Sequence, residues 1–469
     1  MLVPINLAGG TYKHKSLPLS AQVTRNFWPQ LQQVGNAKST YILESFPGKT
    51  LFGNQSGNAD RGMLEHQGIL YKVTDTALYS VDSNGTHTSL GTIPGAGRCI
   101  LDGIGSSVVV VTGGVPYVWN GSSLTTVTDV DLETPNACAH LNNQIIYDGD
   151  GGRFCSSDVG DATSINALNY ATAESDADDL QRPYVHNQIL YLMGDKTIEP
   201  WWNSGIGQPP FDRLEGAIIQ VGLGALHSVA NSDDYVYLLG VNNQIYAVQE
   251  QNARAISTQA IAREISGFSL VSDAIGFCYN IDGQWFYEIT FPTADRTFCY
   301  PEGGEWFELS SGDSGGRNIA NSYAFAYRKH LVGDVNSGKI YELDPDAYDD
   351  NGAAIIRVRD SAPLHGGLFG APGKTITMNS FELIMETGVG LVSGQGSDPV
   401  VMLSFSDDGG KTFSAESWGD ADVGTLGQFI FKVRWNCLGS FESRIIRIQT
   451  SDPVYYSIHG ATAEIEIGI

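Results

Sequence analysis

Positive charge is scarce in this chain. Lysine and arginine together number 27 of 469 residues against 52 aspartates and glutamates, a formal net charge of −25. Wrapping nucleic acid or resting on an anionic membrane needs a basic footprint, and this balance does not supply one. Cysteine is scarce as well. The six (Cys99, Cys138, Cys155, Cys278, Cys299 and Cys437) are scattered and form no C-x-x-C pair, which leaves a zinc site of that kind without support. Their mostly apolar neighbours suit reduced thiols buried as small hydrophobes in a protein made in the cytoplasm. Apolar runs such as 108–111 are far too short to cross a bilayer, and residues 1–10 lack the basic start and apolar stretch of a signal peptide. Catalytic signatures are missing too. The histidines show no His-x-His or His-Glu-x-x-His spacing, and neither a Gly-x-Ser-x-Gly elbow nor a Gly-Lys-Ser/Thr phosphate loop occurs. No catalytic residue, cofactor site or metal site is expected.

Turn-forming residues between short apolar runs are abundant. Glycine reaches 55 residues while charged residues make up 17%, the composition of a turn-dense all-β protein. The stretch 69–85 is the unit. It reads Ile-Leu-Tyr-Lys-Val, a polar break at Thr74, Asp75 and Thr76, Ala-Leu-Tyr-Ser-Val, then Asp-Ser-Asn-Gly. Residues two apart on a strand share a face, so this is a strand, a turn and a second strand, closed by Asn84-Gly85. Similar text returns at 108–119, 144–155, 189–202, 235–248, 275–289 and 325–343, each with its own Gly, Asn or Asp turn. The interval of roughly 40–50 residues is the period of four-stranded propeller blades.

A chain this long exceeds one ordinary core. Four segments are expected: an N-terminal arm with the first strands at 1–50, a β-propeller of about six or seven blades at 51–345, a linker at 346–374, and a C-terminal β-sandwich at 375–469. Within the arm, 26–33 places two aromatics before a proline and reads as a surface-lying segment, or equally as a strand that closes or covers the first blade. In 252–268, Ile256, Ile261 and Ile265 fall near helical spacing with Ser257-Thr258 able to cap, so a short helix is expected on the propeller's outside or rim. Past the linker, 380–386, 400–406, 428–435, 444–450, 454–459 and 461–467 read as strands.

Some candidate sites have a structural explanation close to hand. Ser406, Asp408, Gly410, Thr412 and Phe413 fit an Asp-box, a hairpin turn in which the aspartate caps backbone and the aromatic packs beneath; a turn-stabilising role is expected. Four acidic groups could bind Ca²⁺ or flank a glycosidic bond: Asp129/Asp131, Asp148/Asp150, Asp176/Asp178/Asp179 and Asp344/Asp346/Asp349/Asp350. None has the twelve-position calcium spacing, so solvated loops are expected. Trp201-Trp202 is expected in the core or at a subunit interface.

Several blocks, in order, resemble the packaged-DNA stabilisation proteins of short-tailed lambdoid phages, the tail hub or tail accessory factor. The first is Tyr41-Ile-Leu-Glu-Ser45-Phe46-Pro47-Gly48, then Arg61-Gly62 and the 71–79 hairpin. The second is 194–205, containing Thr197 and Glu199. The third is the Ile-rich 256–265, followed by strands from 381 to 467. The resemblance implies a non-enzymatic virion tail protein. It implies about six copies in a ring beneath portal and adaptor proteins, extending the DNA channel and helping retain the genome, with a tail needle or distal tail proteins beyond. DNA would pass without specific binding; an acidic wall repels phosphates within a Debye length of about 8–10 Å. The competing readings are a tail nozzle protein and a glycan-binding or glycan-hydrolysing propeller.

Overall fold

The computed structural model describes residues 1–32, 40–55, 57, 59–173, 178–415 and 422–468. Its strands fall into a seven-bladed propeller and a β-sandwich. Blade 1 is Asp60–His66, Ile69–Thr74, Ala77–Val81 and His87–Thr92, hydrogen-bonded in sequence order. Blades 2 to 6 repeat that meander. They begin at Ile100–Ile104, Cys138–Leu141, Leu180–His186, Ala230–Asn231 and Ile275–Ile281. Blade 7 has three strands of its own, Ala320–Ala326, Lys329–Asp334 and Ile340–Asp344. Its fourth is Gly48–Gly53, from near the other end of the chain, antiparallel to Ile340–Asp344. The seven hairpins recognised in the sequence lie one in each blade.

Alternation on the strands explains how the blades stack. In Ile69–Thr74, Leu70 faces the seam with blade 7 and Tyr71 and Val73 face the seam with blade 2. In Ser107–Val111, Val108 and Val110 face blade 1 while Val109 and Val111 face blade 3. A blade is covered on both sides, so its second strand is largely apolar on both faces, as in the Val108–Val111 run of blade 2. Each of the seven seams holds its own cluster of buried apolar residues. The expected helix is Gln259–Ser266. Thr258 caps it by accepting from the Ile261 amide, and Ile261 and Ile265 insert between blades 5 and 6. The blade-5 strand Asn252–Ala255 occupies the front of the segment expected to be helical.

The sandwich corrects the expected domain boundaries. Its first sheet joins Leu2–Ile5, Phe27–Leu31, Tyr41–Ser45, Ile376–Met385, Val433–Phe441 and Ser457–Ile467. Its second joins Tyr12–Lys13, Ala21–Arg25, Arg357–Asp360, Leu364–His365, Met402–Ser406 and Ser443–Thr450. The segment expected as a surface arm is therefore integral to the sandwich. Leu2–Ile5 pairs with the C-terminal strand Ser457–Ile467, and Leu7 and Phe27 are buried in the sandwich core. The expected linker also carries two sandwich strands, because Arg357–Asp360 lies between Ala21–Arg25 and Ser443–Thr450. Gly48–Gly53 leaves the sandwich for the propeller, where it closes the last blade. The strands expected at 454–459 and 461–467 are one, Ser457–Ile467. In the strand expected at 428–435, pairing begins only at Val433; Phe429 and Ile430 stand exposed.

Candidate functional site

Polar and charged side chains gather in the interior at the junction of propeller and sandwich and around the cavity on the propeller axis.

At the junction the chain crosses between domains through Ser45, Phe46, Pro47 and Gly48. Ser45 stays with the sandwich, its hydroxyl accepting from the Tyr456 amide at 2.9 Å. Phe46 sits between blades 6 and 7, with ring centroids 5.5 Å from Phe307 and 5.7 Å from Phe286. A Cβ on Gly48 would stand 2.2 Å from the Asp349 carbonyl oxygen, so only glycine fits. Nearby, Ala21–Arg25 meets blade 6 in a single backbone bridge, Arg25 to Glu308. The buried Glu308 carboxylate pairs there with Lys13 at 2.8 Å, Arg25 at 3.0 Å and Arg296 at 3.6 Å. Burial works to raise its pKa, but the three cations outweigh that and hold it below the usual value. Arg359 is fully buried. It donates to the Leu7 and Gly10 carbonyls, the Thr24 hydroxyl and the Gln22 amide oxygen, tying 7–10 to the sandwich; burial lowers its pKa to about 10.

Arg61 and Gly62 join blades 1 and 2. The Arg61 guanidinium donates to the carbonyls of Asp75, Ile93, Pro94 and Gly97, fixing the turn that leads into blade 2. A Cβ on Gly62 would lie 2.8 Å from the Cys99 carbonyl oxygen. Thr197 and Glu199 belong to blade 4. The Thr197 amide and hydroxyl both donate to Asp178, at 2.8 Å each, and Glu199 accepts from the Trp201 indole at 3.1 Å. Trp201 is buried edge-on against Phe154 at the seam with blade 3, whereas Trp202 is half exposed.

In the Asp-box, Asp408 accepts from the Thr412 hydroxyl and amide and from the Lys411 amide, and Ser406 accepts from the Gly410 amide. The bonds from Thr412 hold the Asp408 carboxyl well below its ordinary pKa. Arg447 lies 3.6 Å over the Phe413 ring and forks onto Asp360 at 2.7 and 2.8 Å. The turn is thereby fastened to the sandwich sheet.

The other acidic groups clamp turns. Asp129 accepts from the Asp131 and Ile165 amides, Asp344 from Asp346, and Asp349 from Gly352, while Asp350 pairs with Lys49 at 2.9 Å. Asp148 departs from the solvated loop expected for it. It is buried, accepts from the Asn136 and Ala137 amides, and burial pushes its pKa up to about 6. Asp176, with the rest of 174–177, lies outside the described residues. Among the described residues no three His, Cys, Asp or Glu side chains gather as a metal site. Five cysteines are buried; Cys437 is exposed, unlike the rest.

The axial cavity measures about 490 Å³ and is lined from the first strands of six blades. Arg98, Arg182 and His227 line it; no aspartate or glutamate does, among the described residues. Sequence reading missed these residues, because each lies alone in its own blade and only ring closure brings them together.

Residues 1–348 match the family described as "Bacteriophage P22 Gp10, beta-propeller", and residues 363–466 match "Bacteriophage P22 Gp10, beta-sandwich". The chain belongs to the bacteriophage P22 Gp10 family. It is thus a phage structural protein of the kind that stabilises packaged DNA, with that family's propeller followed by its sandwich. In this member of the Gp10 family, the match named for the propeller includes residues 1–45, whose strands build the sandwich. No curated protein matches the sequence. Similar solved structures include BamB from Moraxella catarrhalis, at 12% identity over 69% of this chain and 97% of that one (TM-score 0.39). Another is the Pan2 WD40 domain of Neurospora crassa, at 9% identity over 64% and 95% (TM-score 0.43). Neither bears on function.

Proposed function

We propose that this Gp10-family chain is a tail hub subunit. Copies of it, six by the resemblance above, form a ring beneath the portal and adaptor, extend the DNA channel and help retain the genome until ejection. The family match across both domains carries the reading. A surface feature supports it: Leu426, Phe429, Ile430 and Phe431 stand on one sandwich loop, with Ile430 100% exposed. The loop is held in place, since the Thr387 hydroxyl donates to the Phe429 carbonyl and the Gly427 amide to that of Gly388. A fixed apolar tip suits contact with a neighbouring protein. The acidity of the chain suits a wall past which DNA slides without adhering. The axial cavity does not favour a glycan hydrolase, since among the described residues its lining has no carboxylate to act as acid or nucleophile.

The test is electron microscopy of the purified chain mixed with portal and adaptor proteins. A closed ring of six copies seated under the adaptor is expected. Failure to join that assembly, or attachment only at the distal end of the tail, would replace the hub with another tail position.

A further inference from the structure

We propose that the axial cavity of the propeller is a binding site for a small, multiply charged oxyanion. Two arginines and a histidine converge there from three directions: Arg98 ahead of blade 2, Arg182 on the first strand of blade 4, and His227 in the turn before blade 5. Each guanidinium spends one donor on a carbonyl, Arg98 on Asn321 and Arg182 on Leu226, both at 2.7 Å. The Nε of each is shut off from solvent and donates to no protein atom. Leaving a buried charged donor unmet costs more than leaving a neutral one, and two cations in one cavity also repel. Two buried aspartates stand behind the lining and bond to neither guanidinium. Asp60 faces Lys72 at 3.8 Å and also draws electrostatically on Arg98, and Asp102 accepts from the Gly103 and His140 amides. In a chain of net charge −25 this is a local reversal of sign. Burial and the two arginines depress the His227 pKa to about 2, so its imidazole enters the site neutral, offering one N–H. A guanidinium fork matches the planar edge of a carboxylate or phosphate. The cavity admits a phosphate or a tricarboxylate but not a DNA duplex. Such an anion would neutralise the repulsion and tie blade 2 to blades 4 and 5, with which it shares no seam.

Calorimetry on the full chain, titrated separately with inorganic phosphate and with citrate against sodium chloride of equal ionic strength, tests this. The expected result is saturable binding of at least one of the two, with a rise in Tm that the chloride control lacks; the preferred arm tells phosphate from carboxylate. Arg98→Met and Arg182→Met should each weaken that binding by at least about tenfold, the weight of one charge-assisted hydrogen bond. Arg98→Lys and Arg182→Lys keep the charge without the fork and should bind less tightly than the parent, which separates loss of the site from loss of the fold. No saturable binding to the parent chain, or undiminished binding to folded Met and Lys variants, overturns the proposal.

Discussion

Two buried glutamates of blade 6, twenty residues apart, meet opposite fates. Glu288 lies in the seam between blades 6 and 7 and accepts from Tyr279 at 2.9 Å and from Asn318 at 2.8 Å. Burial dominates there and pushes its pKa up to about 7. Glu308 lies at the junction with the sandwich, where Lys13, Arg25 and Arg296 overcome burial and lower its pKa. The contrast extends to the regions around them. Seams between blades are apolar, built by neighbours in sequence from repeated strands. The junction joins segments nearly three hundred residues apart and is built largely from buried ion pairs and arginines. Buried cations recur where the chain must find one particular distant partner, including the ring closure, where Lys72 of blade 1 donates to the Gly338 and Lys339 carbonyls of blade 7 at 2.9 Å. Apolar faces on similar blades are interchangeable, whereas a buried charge penalises every partner but the right one.

The largest effect is expected where the charges are removed. Glu308→Gln leaves three cations facing a neutral amide and should destabilise the chain by about 3–5 kcal/mol in denaturant unfolding, the cost of breaking a buried pair from one side. In the parent, this contribution is present above the ordinary glutamate pKa and is lost as pH falls through the lowered folded value. The variant should therefore lose that part of the acid sensitivity as well. A change below about 1 kcal/mol would mean that the junction is held by its backbone bridge and apolar contacts alone.

The same contrast decides what could be read beforehand. The propeller was legible because its seams rest on period-two alternation and local turns, and each hairpin repeats the signal. A closing strand was expected at 26–33, on the first blade; the strand that closes the ring is Gly48–Gly53, and it completes the last blade. The share of residues 1–45 in the sandwich was hidden because nothing in a strand as short as Leu2–Ile5, Leu-Val-Pro-Ile, specifies a partner more than four hundred residues away. Phe429 to Phe431 misled for a physical reason: alternation marks a strand only when one face is buried, and this stretch projects from a loop. The motif Arg61-Gly62 was visible as text, but its purpose, four bonds to carbonyls and a close approach to Cys99, exists only once two blades have stacked. The cavity arginines left no linear trace at all.

Glu288 sharpens the comparison with a pH dependence of the opposite sign. Its folded pKa lies above the unfolded one, so the folded chain binds more protons between about pH 4.5 and 7 and loses stability as pH rises across that window. Glu288→Gln has no proton to lose and retains hydrogen-bonding capacity toward Tyr279 and Asn318. It should be more stable than the parent at pH 8 by up to about 3 kcal/mol, the linkage value of such a shift, and nearly equal to it at pH 4. Unfolding midpoints of the two proteins across that range would settle the matter. Parallel curves would place the Glu288 carboxylate in a better-compensated setting than its burial indicates.

The smallest effect belongs to a device that is local in both sequence and space. Thr258 caps the Gln259–Ser266 helix through its hydroxyl, which accepts from the Ile261 amide at 3.3 Å. The first turn of any helix has amides without intrahelical partners, and a side-chain oxygen at this position meets one of them. Thr258→Ala should cost about 1 kcal/mol, and Thr258→Ser, which keeps the oxygen, only a few tenths. Because Ile261 and Ile265 are buried between blades 5 and 6, fraying of the helix also loosens that seam. Faster hydrogen exchange at the helix amides should therefore extend to the blade-5 strand Ile245–Gln249, while the sandwich amides are unchanged. Acceleration that reached the sandwich equally would show that the seams and the junction open together, and the two regions would then differ in chemistry but not in cooperativity.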